Sequence, residues 1–446
     1  MAVSNRRFEV FQDSFSRFET AKSVCEKGYA NKDDGLSTRV VTFQVTEDCS
    51  LNCTYCYQIN KSKKRLSLDT AKKFIDLLFK ESYNPESDFY MGNVRCLVLE
   101  FIGGEPLLEV KLIRQILNYF KYKAISENHI WATNYMASMI SNGVHYFQED
   151  VQELIKENEG KIDFAISLDG CKELHDSCRL FHNGQGSYDL VVDACKHFMK
   201  NYNKNMNTKL TLAPENINWL STAFKNLYDI GYDVIHANCV YEKGWNLEHA
   251  KVFYKELKKV ADFILDNDLE NDIFTSLFDE THFKPLHPED NKNYCGSTGY
   301  MIAVNPDGEL YPCIRFMSSS LGENSQSYSI GDVDNGIGKL ECHSCRKCEL
   351  NNVTRRSQST DECFNCPVAS GCGWCSAYNL QETGSVNKKV SYICEMHKAR
   401  GLANVYYWNK VYKKNNEDKI FKMHLPKNDA LKIIDESEYE TLLKLT

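Results

Sequence analysis

The sequence predicts an α/β protein, with parallel strands wrapped by helices and then a region organised by cysteine. Three observations carry this. Between residues 39 and 265, six β-branched or apolar segments alternate with segments of helical apolar spacing. The unusual motifs of this stretch each stand at the carboxyl end of a strand, where βα architectures place their chemistry. After about residue 285 the helical periodicity fades and cysteines crowd, at 295, 313, 342, 345, 348, 363, 366, 372, 375 and 394.

Arg39 to Val45 is β-branched and apolar and reads as a buried strand, followed directly by Cys49, Cys53 and Cys56. Ser67 to Lys80 has helical spacing with Ser67 or Asp69 near its start. Cys96 to Ile102 is a second strand, ended by Gly103-Gly104-Glu105-Pro106, and Leu107 to Phe120 is helical. Met136 to Ile140 reads as a strand ending at Ser141-Asn142-Gly143, Val151 to Glu157 as a helix, and Ile162 to Leu168 as a strand ending at Asp169-Gly170. Tyr188 to Met199 is helical, Lys209 to Leu212 a strand, Trp219 to Leu227 a helix, Val234 to Val240 a sixth strand and Leu247 to Leu265 a long helix. Residues 401–446 return to charged, helix-like sequence.

A chain of 446 residues is expected to form two or three units, at roughly 100–200 residues per domain. A net charge of −8 argues against nucleic acid as the main partner. No apolar run approaches the ~20 residues of a membrane span, and Met1 to Thr20 has no apolar signal core, which places the protein in the cytoplasm. There the 19 cysteines are expected to stay reduced, and clustered thiols bind metal more often than they form disulfides.

Cys49-x3-Cys53-x2-Cys56 puts three thiolates on one loop. Three local ligands on a 4Fe–4S cluster leave one iron open to a non-protein ligand. Zinc is the rival, but it usually takes four protein ligands in CxxC pairs. The spacing, with Thr46-Glu47-Asp48 before it and Tyr57 after, resembles the radical S-adenosylmethionine (SAM) superfamily over at least residues 39–240. That resemblance implies a partial (β/α)6 TIM-like barrel. It implies that Gly104 and Glu105, in Gly103-Gly104-Glu105-Pro106, hold the methionyl amino group of SAM. Ser167-Leu168-Asp169-Gly170, His175-Asp176, Arg179 and Gly186-Ser187 resemble the subfamily with auxiliary clusters, in which Ser167 and Arg179 hold the SAM hydroxyl and carboxylate groups. By the same similarity Tyr55 flanks the adenine and Val240 packs on it.

Cys295, Gly308-x4-Cys313, Cys363-x2-Cys366-x5-Cys372-x2-Cys375 and Cys394 resemble the SPASM domain, which carries two further iron–sulfur clusters. The last gap is two residues where the family usually has three. The resemblance implies that Cys295, Cys313 and Cys375 hold auxiliary cluster I. Cys363, Cys366, Cys372 and Cys394 would hold auxiliary cluster II. Sulfatase-maturing members have one more cysteine between the first two ligands of auxiliary I; here Thr298 stands about there, which leaves three ligands and an open iron. Those members also place an Asp base after the counterpart of Cys313, where this chain has Ile314. Cys342-x2-Cys345-x2-Cys348 lies outside the common pattern: it could donate the missing ligand, hold a separate cluster, or bind zinc as a loop clip. Lys61-Ser-Lys63-Lys64-Arg65 reads as a solvated loop, with contact to an acidic leader peptide as the alternative.

The resemblance implies a radical SAM oxidoreductase, a peptide maturase with SAM and three 4Fe–4S clusters as cofactors. Thioether formation of the sactipeptide and ranthipeptide kind is the expected reaction. Its partners are then a cysteine-rich precursor peptide and an electron donor such as flavodoxin or ferredoxin, with neither nucleic acid nor membrane. Carbon–carbon cross-linking, epimerisation and formylglycine formation are the enzymatic alternatives, and a zinc-rich scaffold the non-enzymatic one. The expected organisation is an N-terminal extension over 1–38, the barrel over 39–270, the SPASM region over 271–400 and a helical extension over 401–446. Only 48 residues precede Cys49, too few for a full winged-helix recognition domain. The precursor is therefore expected to be held by the barrel, by the C-terminal 45 residues or by a separate protein.

Overall fold

The alternation of residues along β1 (Ser37–Thr46) sets the layers of the molecule. In this computed structural model, residues 37–202, 206, 208–287, 289–291, 293, 295–322, 325, 327–338 and 341–446 are described. The extension expected over 1–38 therefore lies almost wholly outside the described residues, as does Cys25. Val41, Phe43 and Val45 are fully buried on the outer face of β1. There the Phe43 ring meets Phe74 of α1 (Leu68–Ser82) at 5.2 Å and Phe101 of β2 (Val94–Gly103) at 5.5 Å. Thr42, Gln44 and Thr46 occupy the other face and are equally buried. The Thr42 hydroxyl donates to Glu100 of β2 at 2.5 Å, and Gln44 Nε2 donates to Ser319 Oγ at 2.9 Å. The inner wall of the barrel is thus polar here; Thr46 Oγ1 donates to Lys64 O at 3.2 Å, and Gln44 Oε1 is buried without a partner among the described residues.

β1, β2, β3 (Tyr135–Ser141) and β4 (Ile162–Ile166) run parallel in that order. β5 (Thr208–Leu212), β6 (Val234–Cys239) and β7 (Phe274–Thr275) form a second parallel sheet. Each of the first six strands is followed by helix: α1, α2 (Val110–Ser126), α3 (Glu149–Glu157), α4 (Lys172–Cys178), α5 (Tyr188–Asn201), α6 (Leu220–Ile230) and α7 (Leu247–Asp266). This is the partial (β/α)6 barrel. The helix-start signal at Ser67 is realised as a cap that accepts from Thr70 N. Asn246 and His249 form a reciprocal capping box at the start of α7. No ladder joins β4 to β5. Side chains close that seam: Asp169, just past β4, accepts from Thr211 N at 3.1 Å, and Thr208 Oγ1 donates to Leu168 O at 3.0 Å.

The cysteine-rich region is sewn into the same sheet. β8 (Met301–Val304) lies parallel to β1, with Val40 opposite Met301 and Phe43 opposite Val304. β9 (Glu309–Tyr311), β10 (Gly331–Asp332) and β11 (Gly336–Ile337) extend the sheet antiparallel, so the order is β11-β10-β9-β8-β1-β2-β3-β4. The β8–β9 turn explains the glycine of Gly308-x4-Cys313. Gly308 has φ +84, and Asn305 Oδ1 accepts from Asp307 N at 3.1 Å and Glu309 N at 2.9 Å. That tight turn delivers Cys313 just past β9.

Besides two four-residue helices, Arg355–Gln358 and Asp361–Phe364, the described residues form α8 (Glu341–Asn351), α9 (Ser376–Thr383), α10 (Cys394–Lys414), α11 (Lys427–Ile433) and α12 (Glu436–Leu445). α10 packs along α7 on the outer wall of the barrel. Tyr406 donates to Asp262 at 2.5 Å, Lys258 pairs with Glu438 at 2.8 Å, and Phe278 stacks on Tyr407 at 4.2 Å. Among the described residues no helix is long and apolar enough to cross a membrane.

Candidate active site

The loop after β1 carries Cys49, Cys53 and Cys56 as free thiols, the first buried and the others half-buried. Bonds to the neighbouring strand ends fix it. Cys49 N donates to Asp48 Oδ1 at 2.9 Å, His182 Nε2 meets Cys49 O at 2.9 Å, and Gln58 Nε2 donates to Gly103 O at 2.8 Å. Asn52 N and Thr54 N donate to Leu180 O at 2.7 Å and Cys178 O at 3.0 Å. Burial pushes the Cys53 thiol up to about 11, partly offset by Arg179. Lys61 stands beside all three thiols, so the basic run is not simply a solvated loop. Of its other members, Lys64 pairs with Asp307 at 2.5 Å and Arg65 with Glu109 at 3.1 Å.

Gly103 and Gly104 let the end of β2 press against that loop. A Cβ at Gly104 would lie 2.1 Å from Asp48 O, and one at Gly103 2.3 Å from Thr46 O. Glu105 is 1% exposed, and its carboxylate ties β2 to β3. It accepts from Ser141 Oγ at 2.8 Å, Asn142 N at 2.8 Å and Leu107 N at 3.0 Å. Burial raises its pKa to about 7 against those three bonds.

Arg179 is held by Asp169. Its Nε donates to Oδ2 at 2.6 Å and its Nη2 to Oδ1 at 3.4 Å, and Asp169 is fully buried. The Tyr55 hydroxyl donates to the same carboxylate, and the guanidinium lies 5.5 Å from the Tyr55 ring. His175, kept neutral by burial, accepts from Asp169 N at 3.3 Å and meets Ser187 Oγ at 3.0 Å. Ser187 in turn donates to Arg179 O at 2.8 Å. The string His175, Asp176, Gly186, Ser187 is therefore a scaffold for the Asp169–Arg179 pair, with Asp176 accepting from Tyr188 N at 2.9 Å. Ser167, half-buried, follows β4, where its N–H donates to Ser141 O at 2.8 Å.

Tyr55, Cys56, Tyr57 and Val240 line one cavity of about 220 Å³, together with Glu242 and Arg315. Arg315 is the link to the C-terminal region. Its guanidinium donates to Glu242 at 2.9 Å, lies 4.7 Å from the Tyr57 ring and stands near enough to Cys375 to lower its thiol pKa against burial. The cavity thus reaches from the first thiol loop to Arg315, the neighbour of Cys375.

Burial raises the Cys313 and Cys375 thiols; Cys295 stands close enough to raise both further, and Cys375 adds to the rise at Cys313. Ser297 Oγ lies 3.0 Å from Cys295 Sγ, and Thr298 Oγ1 donates to Cys295 O at 2.8 Å. Ile314 is buried in a small apolar core with Phe316 and Tyr328. Cys363, Cys366, Cys372 and Cys394 form the other group, in which the three others raise the Cys394 thiol. Burial also raises Cys372, yet His397 and Lys389 bring it down to about 6. Cys342, Cys345 and Cys348 sit on α8 with their thiols exposed. Between the two auxiliary groups, Tyr241, Cys295, Cys372 and Trp374 line a second cavity, of about 480 Å³.

The donor sets fit iron–sulfur groups. Among the described residues no three His, Cys, Asp or Glu side chains converge on a single-ion position. Three of the buried polar atoms that have no partner among the described residues stand beside the thiols: Asn293 Nδ2 near Cys295, Ser376 Oγ after Cys375, and His397 Nε2 one turn beyond Cys394. Cluster sulfurs accept hydrogen bonds and would satisfy such groups. Sequence reasoning missed Asp169, Tyr241, Arg315 and Lys389, and it read Lys61 only as part of a basic loop. Asp169 sat inside a motif already singled out; Tyr241, Arg315 and Lys389 carried no local signal.

A family described as a 4Fe-4S single cluster domain matches residues 34–189. An uncharacterized protein of Methanocaldococcus jannaschii is 28% identical over 63% of this chain and 85% of its own length. The cysteine-type anaerobic sulfatase-maturating enzyme of Clostridium novyi is 31% identical over 34% of this chain and 37% of its own. The radical SAM cyclopropyl synthase TigE of Paramaledivibacter caminithermalis is 22% identical over 85% of this chain and 75% of its own. Among solved structures, anSMEcpe with bound AdoMet and a Cp18Cys peptide superposes with a TM-score of 0.60 at 17% identity, covering 85% of this chain and 99% of that one. Streptococcus suis SuiB bound to its precursor peptide SuiA gives 0.53 at 13% identity, covering 87% and 81%. The chain is thus similar in sequence to a radical SAM enzyme and in fold to enzymes solved with bound AdoMet.

Proposed function

We propose that this chain, a radical SAM enzyme, modifies a ribosomally made precursor peptide by forming thioether cross-links at cysteine. The observation that carries the reading is the cavity shared by Tyr55, Cys56, Val240 and Arg315, which runs from the first thiol loop to the arginine that stands beside Cys375. A peptide held there lies against the first loop and against that arginine. When bound and reduced, a cluster on Cys49, Cys53 and Cys56 supplies the electron that splits SAM into methionine and a 5′-deoxyadenosyl radical, which takes a hydrogen atom from the peptide. Tyr55 and Val240 present flat and apolar surface to the adenine. Gly103 and Gly104 bring backbone close to the loop, and Arg179, braced by Asp169, sets a fixed positive charge beside Cys53. Cys295, Cys313 and Cys375 give auxiliary cluster I three ligands, which leaves a position for a substrate thiolate. Cys363, Cys366, Cys372 and Cys394 hold auxiliary cluster II. The electron donor is a flavodoxin or ferredoxin, and the reaction is cytoplasmic.

Two relatives frame the alternatives. The Clostridium novyi enzyme is named a sulfatase-maturating enzyme, but buried Ile314 cannot take a proton where such members carry Asp. Similarity to TigE, named a cyclopropyl synthase, favours carbon–carbon bond formation as the second reading. The test is mass spectrometry of a cysteine-rich peptide encoded beside the gene, incubated with SAM and reductant. A thioether product is two mass units lighter per bond, resists dithiothreitol and disappears when the substrate Cys is replaced by Ser. A cross-link formed equally in the Ser variant rejects the thioether and leaves carbon–carbon chemistry. Replacing Cys49, Cys53 and Cys56 by Ala is expected to remove about four of about twelve iron atoms and all 5′-deoxyadenosine release.

A further inference from the structure

Each thiol group has a cation beside it, but the cations differ in how they are compensated. Arg315, at the first auxiliary group, is paired with Glu242 at 2.9 Å. Lys389, at the second, is half-buried and has no ion pair with a carboxylate among the described residues. Its Nζ donates to Cys372 Sγ at 3.0 Å, and its field reaches Cys363 and Cys394 as well. The ammonium is held in place. Lys389 N donates to Gln358 O at 2.9 Å, and Nζ lies 5.6 Å from the Trp374 ring, a cation–π position. His397 flanks the same thiol, its Nε2 buried without a partner. The second group is therefore the more electropositive of the two.

An iron–sulfur cluster gains one negative charge on reduction, with no bond made or broken. Net charge and hydrogen bonds to its sulfurs set its potential. We infer that Lys389 tunes the distal cluster, raising its potential so that it accepts an electron in preference to the proximal one. Lys389 is a positioning residue here, since it acts through the Cys372 sulfur. The inference rests on the reading that Cys363, Cys366, Cys372 and Cys394 hold a 4Fe–4S cluster.

The experiment is a dithionite titration of the anaerobic, fully loaded enzyme, followed by electron paramagnetic resonance, in wild type, Lys389→Met, Lys389→Gln and Lys389→Arg. At the potential that half-reduces the wild-type distal cluster, the Met and Gln variants should show a reduced-to-oxidised ratio about tenfold lower, a shift of about 59 mV. The Arg variant should stay near wild type, and the proximal signal should not move. An unchanged distal potential in the Met and Gln variants overturns the inference while leaving the cluster in place. Loss of distal iron in both neutral variants, with retention in Arg, also overturns it and makes Lys389 a structural charge. If a Cys363→Ala, Cys394→Ala protein loses no iron and no signal, the cluster reading itself falls.

Discussion

The thiols at the barrel mouth and those of the C-terminal region are fixed by different means. Cys49, Cys53 and Cys56 come from eight consecutive residues, and hydrogen bonds to the ends of β2 and β3 and to the end of α4 hold their loop. Cys363, Cys366, Cys372 and Cys394 are spread over 32 residues of short helices and turns, and Lys389 and His397 reach in among them. The first arrangement is a rigid seat made by neighbouring strands. The second depends on charge brought from a distance. A perturbation of the barrel mouth should therefore be felt as stability, and one of the C-terminal region as potential.

That contrast can be broken most directly at Asp169. Asp169→Asn leaves Arg179 buried without its counter-charge, and such losses cost about 3–5 kcal/mol. Urea unfolding should show it. The pair also dictates an acid limb. Burial works against the Asp169 carboxylate, but Arg179 holds its pKa below the ordinary carboxylate range. Its stabilisation is therefore present above the unfolded value and is lost as pH falls through the lowered folded one, and the Asn variant should flatten that limb. Equal acid sensitivity in both proteins would remove Asp169 from the account.

Gly104→Ala comes next. Its Cβ would meet the Asp48 carbonyl at 2.1 Å, a backbone atom that cannot move without the cysteine loop. A cost of about 1–3 kcal/mol is expected, with selective loss of iron from the first cluster. Normal iron content and unfolding midpoint would show that the loop is not rigid.

Glu105 should give a smaller effect of opposite sign to Asp169. Its folded pKa is raised, to about 7. The protonated form is then favoured by folding, so its contribution is fullest below the unfolded carboxylate pKa and declines as pH rises through about 7. An infrared carboxyl band that titrates near 7 and vanishes in Glu105→Gln would confirm the assignment; a band already ionised at pH 5 would refute it. The smallest effect is Lys64→Ala. The Lys64–Asp307 pair joins the first loop to the β8–β9 turn, but both side chains are about half exposed. Thermal unfolding should shift by no more than about 1 kcal/mol, less at high salt.

The barrel was largely legible in the sequence because its period is local. β-branched runs such as Val40-Val41 and Val234-Ile235, and caps at Ser67 and Asn246, are written within a few residues of the structure they produce. The grouping of Cys49, Cys53 and Cys56 on one loop was legible for the same reason: their spacing is short-range information. What escaped depends on the chain meeting itself. Lys389 lies 17 residues from the sulfur it touches, and Arg315 reaches Glu242 across 73. α8 escaped because its apolar residues are sparse; Leu350 alone is buried. The polarity of Thr42, Gln44 and Thr46 was hidden inside a run that reads as plain core.

β8 has a consequence for how the chain comes to be folded. It is the neighbour of β1 on the side away from β2, and it arrives some 260 residues later. Until residues 301–304 are made, one edge of the first strand, with its row of N–H and C=O groups, has no ladder partner there. Closing so distant a pair is slow, because the intervening loop must be ordered before the contact rewards it. A protein truncated near residue 285 would thus carry an open strand edge and should self-associate, whereas one ended after β11 should keep that edge covered.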